Sequence, residues 1–148
     1  MAKILAVDYG DHRVGFAVSD ALGIIAMPRE VVTLAREADI LPAILRVIRE
    51  TGAEKVVLGL PVNMNGSHGP MAQKVAAFAV RLQQETAVPV ELLDERMTTK
   101  IAERTLLDFD VSRAKRKKVI DKLAAQVLLQ SYLDAHAAPD GDGENAAL

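Results

Sequence analysis

The sequence predicts an α/β fold built on a single mixed sheet of five strands, and three observations carry that prediction. Two short apolar runs around a glycine open the chain, and a third follows closely, as in a hairpin meander. From residue 39 onward, segments with apolar residues every three or four positions alternate with short, nearly continuous apolar runs, the signature of helices between strands. Right-handed crossovers then lay the later strands parallel to the first on one sheet.

In order, Lys3 to Val7 read as the first strand, Gly10 begins a turn, and Val14 to Val18 read as the antiparallel return. Asp20 to Gly23 make a turn, and Ile24 to Met27 supply a third strand ending at Pro28. Asp39 is placed to cap a helix whose stripe is Ile40, Leu41, Ile44, Leu45, Val47 and Ile48, with Gly52 just past its end. Lys55 to Leu60 are nearly continuously apolar, as a strand covered on both faces should be, and Pro61 stops them. After the loop PVNMNGSHG, Pro70 opens a helix with a buried face of Met71, Val75, Phe78, Ala79 and Leu82. Val88 to Leu93 form the fifth strand, and Thr98 or Thr99 caps a short helix. A long last helix carries the stripe Ile120, Leu123, Ala124, Val127 and Leu128, and at about 100° per residue Asp121 falls about 20° from Leu128, on its margin. One domain over residues 1–138 is expected, with a polar, glycine-containing tail over 139–148 expected to be disordered.

Composition removes several classes of function. With 18 basic against 20 acidic residues the net charge is -2, which argues against a uniformly cationic coat but permits a local patch. There is no cysteine, so disulfides, thiolate zinc sites and cysteine nucleophiles are excluded. No signal-peptide pattern opens the chain and no apolar run reaches the roughly eighteen residues of a membrane span, so a soluble, cytoplasmic protein is expected. Two Tyr, three Phe and no Trp leave little for base stacking.

The chemistry is concentrated at strand ends. Asp8 ends the first strand and, taken alone, reads equally as a turn-initiating residue or as a metal ligand. The fifth strand ends in Asp94 and Glu95, followed by Arg96. In a sheet of this topology Asp8 and Glu95 come to the edge where connections leave it, and the closing helix can supply Asp121. Three converging carboxylates repel one another unless divalent cations neutralise them, and hard oxygen ligands favour Mg2+ or Mn2+. Two such ions about 4 Å apart suit in-line phosphodiester hydrolysis, which is nuclease chemistry.

The blocks DYGDHRVGFAVSD, VVLGLPVNMNGS, LLDERMTT and VIDKLAAQVLLQSYL, spanning nearly residues 3 to 133, closely resemble the YqgF/RuvX-type family of Holliday junction resolvases and pre-16S rRNA nucleases. The resemblance implies a ribonuclease-H-like fold, a five-stranded mixed sheet with helices on both sides. It implies a cytoplasmic divalent-metal nuclease, a hydrolase acting on ester bonds, that trims the 5′ end of the 16S rRNA precursor, with branched DNA as the alternative substrate. It further implies that Asp8, Glu95 and Asp121 are the catalytic, metal-binding acids, with Asp94 as a substitute for Glu95. The first turn departs from the family's usual small or apolar residue and following Lys, Arg or Ser; here Asp11 and His12 stand there, and Asp11 either adds a carboxylate or shapes the turn.

Other residues address the nucleic acid. Arg113, Lys115, Arg116, Lys117 and Lys118 crowd a helix start, where cations oppose the helix dipole, so local stability does not explain them and phosphate binding does; a solvated charge run is the plainer alternative. Asn63 and Asn65 suit substrate contact and ordinary turn chemistry equally. Arg13 and Arg96 flank the acids, to pair with them or to reach phosphate, pairing being favoured. His12 and His68 are weak candidates for proton transfer. A noncatalytic RNA-binding module is the rival of another class; sugar kinases and chaperone ATPases share the acid-aromatic-glycine turn but need two such halves. A monomer or weak homodimer is expected.

Overall fold

The structure is a computed structural model that describes residues 3–10, 12–96 and 113–136, with side chains in the last segment described from residue 123. Asp11, the short helix expected after Thr98 or Thr99, and the tail from Pro139 lie outside the described residues. Five strands, β1 (Ile4–Tyr9), β2 (Arg13–Ser19), β3 (Ala26–Thr33), β4 (Lys55–Leu60) and β5 (Val90–Asp94), form one sheet in the order β3-β2-β1-β4-β5. β1 pairs antiparallel with β2 and β2 with β3, whereas β4 runs parallel to both β1 and β5. This is the mixed sheet that the element order predicts.

Strand alternation divides the core into two faces. Leu5, Val7, Tyr9, Val14, Phe16, Val56 and Leu58 point to one side. There they pack on α1 (Ile40–Thr51), through Ile40, Ile44, Val47 and Ile48, and on α2 (Pro70–Glu85), through Val75, Phe78 and Leu82. The opposite face carries Ala6, Ala17, Ala26 and Val57 against the last helix, α3 (Arg113–Ala135), which contributes Ala125, Leu128, Leu129, Tyr132 and Leu133. Large residues fill one side and small ones the other, so α3 lies close to the sheet.

Three sequence expectations are corrected here. β3 does not stop at Pro28 but continues to Thr33: it is an edge strand, the place in a sheet where proline is tolerated, and the pairing register shifts between Gly15 and Ala17, next to the Ala17–Pro28 pair. Ile24 and Ile25 belong to the preceding turn, their N–H groups donating to Asp20 Oδ1 at 2.8 and 3.1 Å. Asp39 stands at the N-cap position of α1, as the last residue of a 3-10 turn (Glu37–Asp39), but its side chain makes no cap bond; its carboxylate takes an Arg36 hydrogen bond at 2.9 Å instead. The C-terminus of α1 is as expected, with Gly52 in the left-handed region at φ 68°.

The stripe of α3 is also turned from the expected one. Leu123, Ala124 and Val127 are half-buried, and the buried row runs through Ala125, Leu128, Leu129, Tyr132 and Leu133. Polar pins fix this orientation. Ala26 N donates to Gln130 Oε1 at 2.9 Å, and Gln130 Nε2 and Gln126 Nε2 donate to the carbonyls of Ile24 and Ala26. At the far end Lys55 Nζ donates to Tyr132 Oη at 2.5 Å and lies 2.7 Å from Glu91, and the His136 ring stacks on Tyr132. No helix among the described residues is long and apolar enough to cross a membrane.

Candidate active site

Asp8 is the fifth residue of β1. Because Val7 and Tyr9 face α1 and α2 while Ala6 faces α3, the alternation directs Asp8 to the α3 side, opposite Gly15 of β2. Glu95 follows β5 directly, and its N–H donates to the carbonyl of Leu60 at 3.0 Å, fixing its backbone to the end of β4. Its side chain crosses the face of Gly59. A Cβ built on Gly59 would stand 2.7 Å from Glu95 Cδ and 2.9 Å from Cγ and Oε1.

The Glu95 and Asp8 carboxyls meet in a hydrogen bond. Burial first, then the negative charge of Asp8, their shared hydrogen bond and the charge of Asp94 push the Glu95 carboxyl up to about 8. At neutral pH Glu95 therefore holds its proton and donates it to Asp8. Two acids sharing a proton in a partly buried site is what carboxylates do when brought together without a cation.

Asp94 is turned elsewhere. It accepts the backbone N–H of Arg96 at 2.9 Å, with Arg96 Nε at 2.9 Å and Nη2 at 2.7 Å, and this pairing holds its carboxyl below the usual range. The residue offered by the sequence as a substitute for Glu95 is thus occupied by Arg96, and Arg96 is correspondingly paired. A Cβ built on Gly66, where φ is 87°, would lie 3.8 Å from Arg96 Nη1, so the loop after β4 approaches this guanidinium.

That loop is knitted to itself. Asn63 N donates to Ser67 O at 3.0 Å, Asn63 Nδ2 to Ser67 Oγ at 3.0 Å, and Asn65 Oδ1 accepts the Ser67 N–H at 3.0 Å. Both asparagines are exposed while serving as turn residues. Arg13 is exposed at the start of β2, and His12 and His68 are exposed as well.

Asp121 and the basic residues Arg113, Lys115, Arg116, Lys117 and Lys118 lie in the first half of α3, where the backbone alone is described. Their places are informative. Ala125 Cβ and Asp8 Cβ each lie 3.7 Å from the point where a Cβ on Gly15 would stand, so α3 passes Asp8 at Ala125. Tyr132 reaches Lys55 at the start of β4, which makes α3 antiparallel to β1 and β4. Position 121, four residues before Ala125 and seven before Leu128, falls on the same row, about 6 Å nearer the strand ends where Glu95 sits. By helical spacing position 121 lies about 20° from Leu128, on the Leu128 side of that row, as the sequence pattern expects.

Sequence reasoning missed Gly59. The available signal was a glycine inside an otherwise apolar central strand, which marks close approach of another group.

A family model described as RuvX, Holliday junction resolvase, matches residues 2–135. A protein of Myxococcus xanthus named "Putative pre-16S rRNA nuclease" is 48% identical over 143 residues, covering 95% of this chain and 93% of that one. One of the same name from Pelotomaculum thermopropionicum is 44% identical over 147 residues, covering 97% and 95%. Among solved structures, Thermus thermophilus RuvC in complex with a Holliday junction substrate superposes with a TM-score of 0.55 at 20% identity, over 91% of this chain and 95% of that one. The fowlpox virus Holliday junction resolvase does so at 0.52 and 14%, over 90% and 99%. The two structures bear on the fold, which is ribonuclease-H-like with helices on both sides of the sheet. Matched along nearly its whole length by the family model and by relatives named as nucleases, the chain belongs to the RuvX family and is a nuclease.

Proposed function

We propose that the chain hydrolyses phosphodiester bonds at the 5′ end of precursor 16S ribosomal RNA, in the cytoplasm, using divalent cations held by Asp8, Glu95 and Asp121. The observation that carries this reading is the Asp8–Glu95 carboxyl pair at the ends of β1 and β5. A pair of acids that must share a proton when alone fits a cation in the proton's place, and a donor set of carboxylate oxygens suits Mg2+ or Mn2+. Among the described residues no group of three or more His, Asp and Glu forms a cluster. Asp121, from its place on the sheet-facing row of α3, would complete the set.

When bound, two such ions supply Lewis acidity and offset charge on the attacking and leaving oxygens of a phosphodiester. The chain's own part is to hold the ligands still. Asp8 is fixed within the sheet, and Glu95 is held by its N–H on Leu60 O and gives up its proton when a cation takes its place. The basic run at the start of α3 binds substrate phosphates, which fixes the strand without reading its sequence. Arg13, Asn63, Asn65 and Arg96 border the same end and contact the substrate backbone. A single copy suffices for trimming one RNA end.

The relatives at 44–48% identity, all bearing the pre-16S rRNA nuclease name, support the RNA substrate. The description of the family model favours a second reading, cleavage of a four-way DNA junction, which calls for two copies acting together. Purified protein incubated in Mn2+ with labelled precursor 16S RNA and with labelled junction DNA separates them. The expected result is metal-dependent cleavage near the mature 5′ end of the RNA and none at the junction. Cleavage of the junction alone would install the second reading, and cleavage of neither would favour a noncatalytic RNA-binding module.

A further inference from the structure

We infer that Gly59 is a positioning residue of the active site: its bare Cα on β4 is the bed across which the Glu95 side chain lies to reach Asp8. This rests on the reading of Glu95 as a cation ligand. β1 and β5 are not neighbours, since β4 runs between them. For a residue at the end of β5 to meet one on β1, its side chain must pass over β4, and the strand spacing makes that crossing about 10 Å from one flanking backbone to the other. The residue beneath it is Gly59, which pairs with Leu93 in the register that brings Glu95 to the end of β5. Its side-chain direction alternates with Leu58 and Leu60, which serve the α1 and α2 face, so any Cβ would project toward Glu95.

The clearance is decisive. Separations of 2.7 Å to Cδ and 2.9 Å to Cγ and Oε1 are closer than a methyl group tolerates. Glu95 cannot withdraw by backbone movement without breaking its 3.0 Å hydrogen bond to Leu60 O, so an alanine at 59 moves the carboxyl group itself. Backbone conformation gives no other reason for the glycine, because the positive-φ glycines among the described residues are Gly23, Gly52 and Gly66. In a buried central strand glycine is a poor choice, costing unfolded-state entropy and packing, so it is the side chain above that requires it. Gly15, on the same face of β2, differs: a Cβ there meets nothing nearer than 3.7 Å.

The test is a double-mutant cycle of Gly59→Ala and Glu95→Ala, read by melting temperature in EDTA, together with Mn2+ titration of Gly59→Ala and of Glu95→Gln. With Glu95 present, Gly59→Ala is expected to lower the melting temperature or leave it unchanged; in the Glu95→Ala background it should raise it by about 1–3 °C, because the clash is gone and the entropic gain remains. Mn2+ affinity of Gly59→Ala should fall by about tenfold or more, the usual consequence of disturbing what orients a ligand. The same melting shift in both backgrounds, or unchanged Mn2+ affinity, overturns the inference. If Glu95→Gln loses Mn2+ binding while Gly59→Ala keeps it, the role of Gly59 falls alone. If Glu95→Gln keeps Mn2+ binding, the reading of Glu95 falls and takes this inference with it.

Discussion

Glu95 meets Asp8 across an intervening strand: the two carboxyls share a hydrogen bond although β4 separates the strands that carry them. This bond joins the strand that comes first in the chain, central in the sheet, to the residue that follows the last strand, so segments far apart in sequence must be in place before the pair exists.

The pair makes metal-free stability depend on pH in a definite direction. Glu95 titrates near about 8 in the folded protein against 4.5 as its ordinary value, so the folded state holds the proton more tightly. Its contribution is fully present below about pH 4.5 and is lost as pH rises through about 8. Melting in EDTA from about pH 5 to about pH 9 should show the wild type losing more stability than Glu95→Gln, which has no proton to lose. Parallel curves would mean that the carboxyl is not held protonated.

Cations should reverse that behaviour. At a hundredfold excess over the dissociation constant, Mn2+ or Mg2+ is expected to stabilise the wild type by about 2.7 kcal/mol, several degrees of melting temperature. The gain should increase with pH, since ligand carboxyls must be deprotonated. Asp8→Asn, Glu95→Gln and Asp121→Asn should each abolish cleavage, and the metal-free melting temperature of the first two should be no lower than wild type because an acid-acid conflict has been removed. An amide variant that cleaves at the full rate removes its residue from the site.

Asp94→Asn separates the two neighbouring acids. Asp94 and Arg96 are each more than a third exposed, so their ion pair contributes no more than about 1 kcal/mol. The variant should keep Mn2+ binding and most of its activity while Glu95→Gln keeps neither. Equal losses in the two would show that Asp94 is a ligand after all.

The basic run is tested by salt. Neutralising Arg113, Lys115, Arg116, Lys117 and Lys118 together should weaken RNA binding for every sequence alike and flatten its salt dependence, by about 0.7 in the log-log slope for each single-strand phosphate that the variant no longer neutralises. Stability should hold or rise slightly, because cations at a helix start oppose its dipole. An unchanged slope in binding titrations would make the run solvated surface.

Much of this was legible in the residues. The hairpin, the alternation of helix and strand, and the acids at the strand ends follow from periodicity and from the expense of burying a charge among apolar neighbours. The rotation of α3 was not, because residues 120–133 are apolar on more than one face and support two stripes; the alanine- and glycine-lined sheet, with Gln126 and Gln130 binding the backbone near Ala26, selects between them. The course of β3 past Pro28 depended on its being an edge, which is a property of strand order. The importance of Gly59 depended on what lies above it, and no local pattern encodes that.

Pro28 has a bearing on how the protein behaves in concentrated solution. β3 is an outer strand exposing Met27 and Val31, side chains that would welcome another strand alongside. Between them Pro28 has no N–H to offer, and Arg29 and Glu30 follow with ion pairs that reach Glu50 and Arg46 on α1. An imino acid followed by paired charges is a barrier to edge-to-edge aggregation, so Pro28→Val should leave nuclease activity intact while light scattering detects growing oligomers that the wild type does not form.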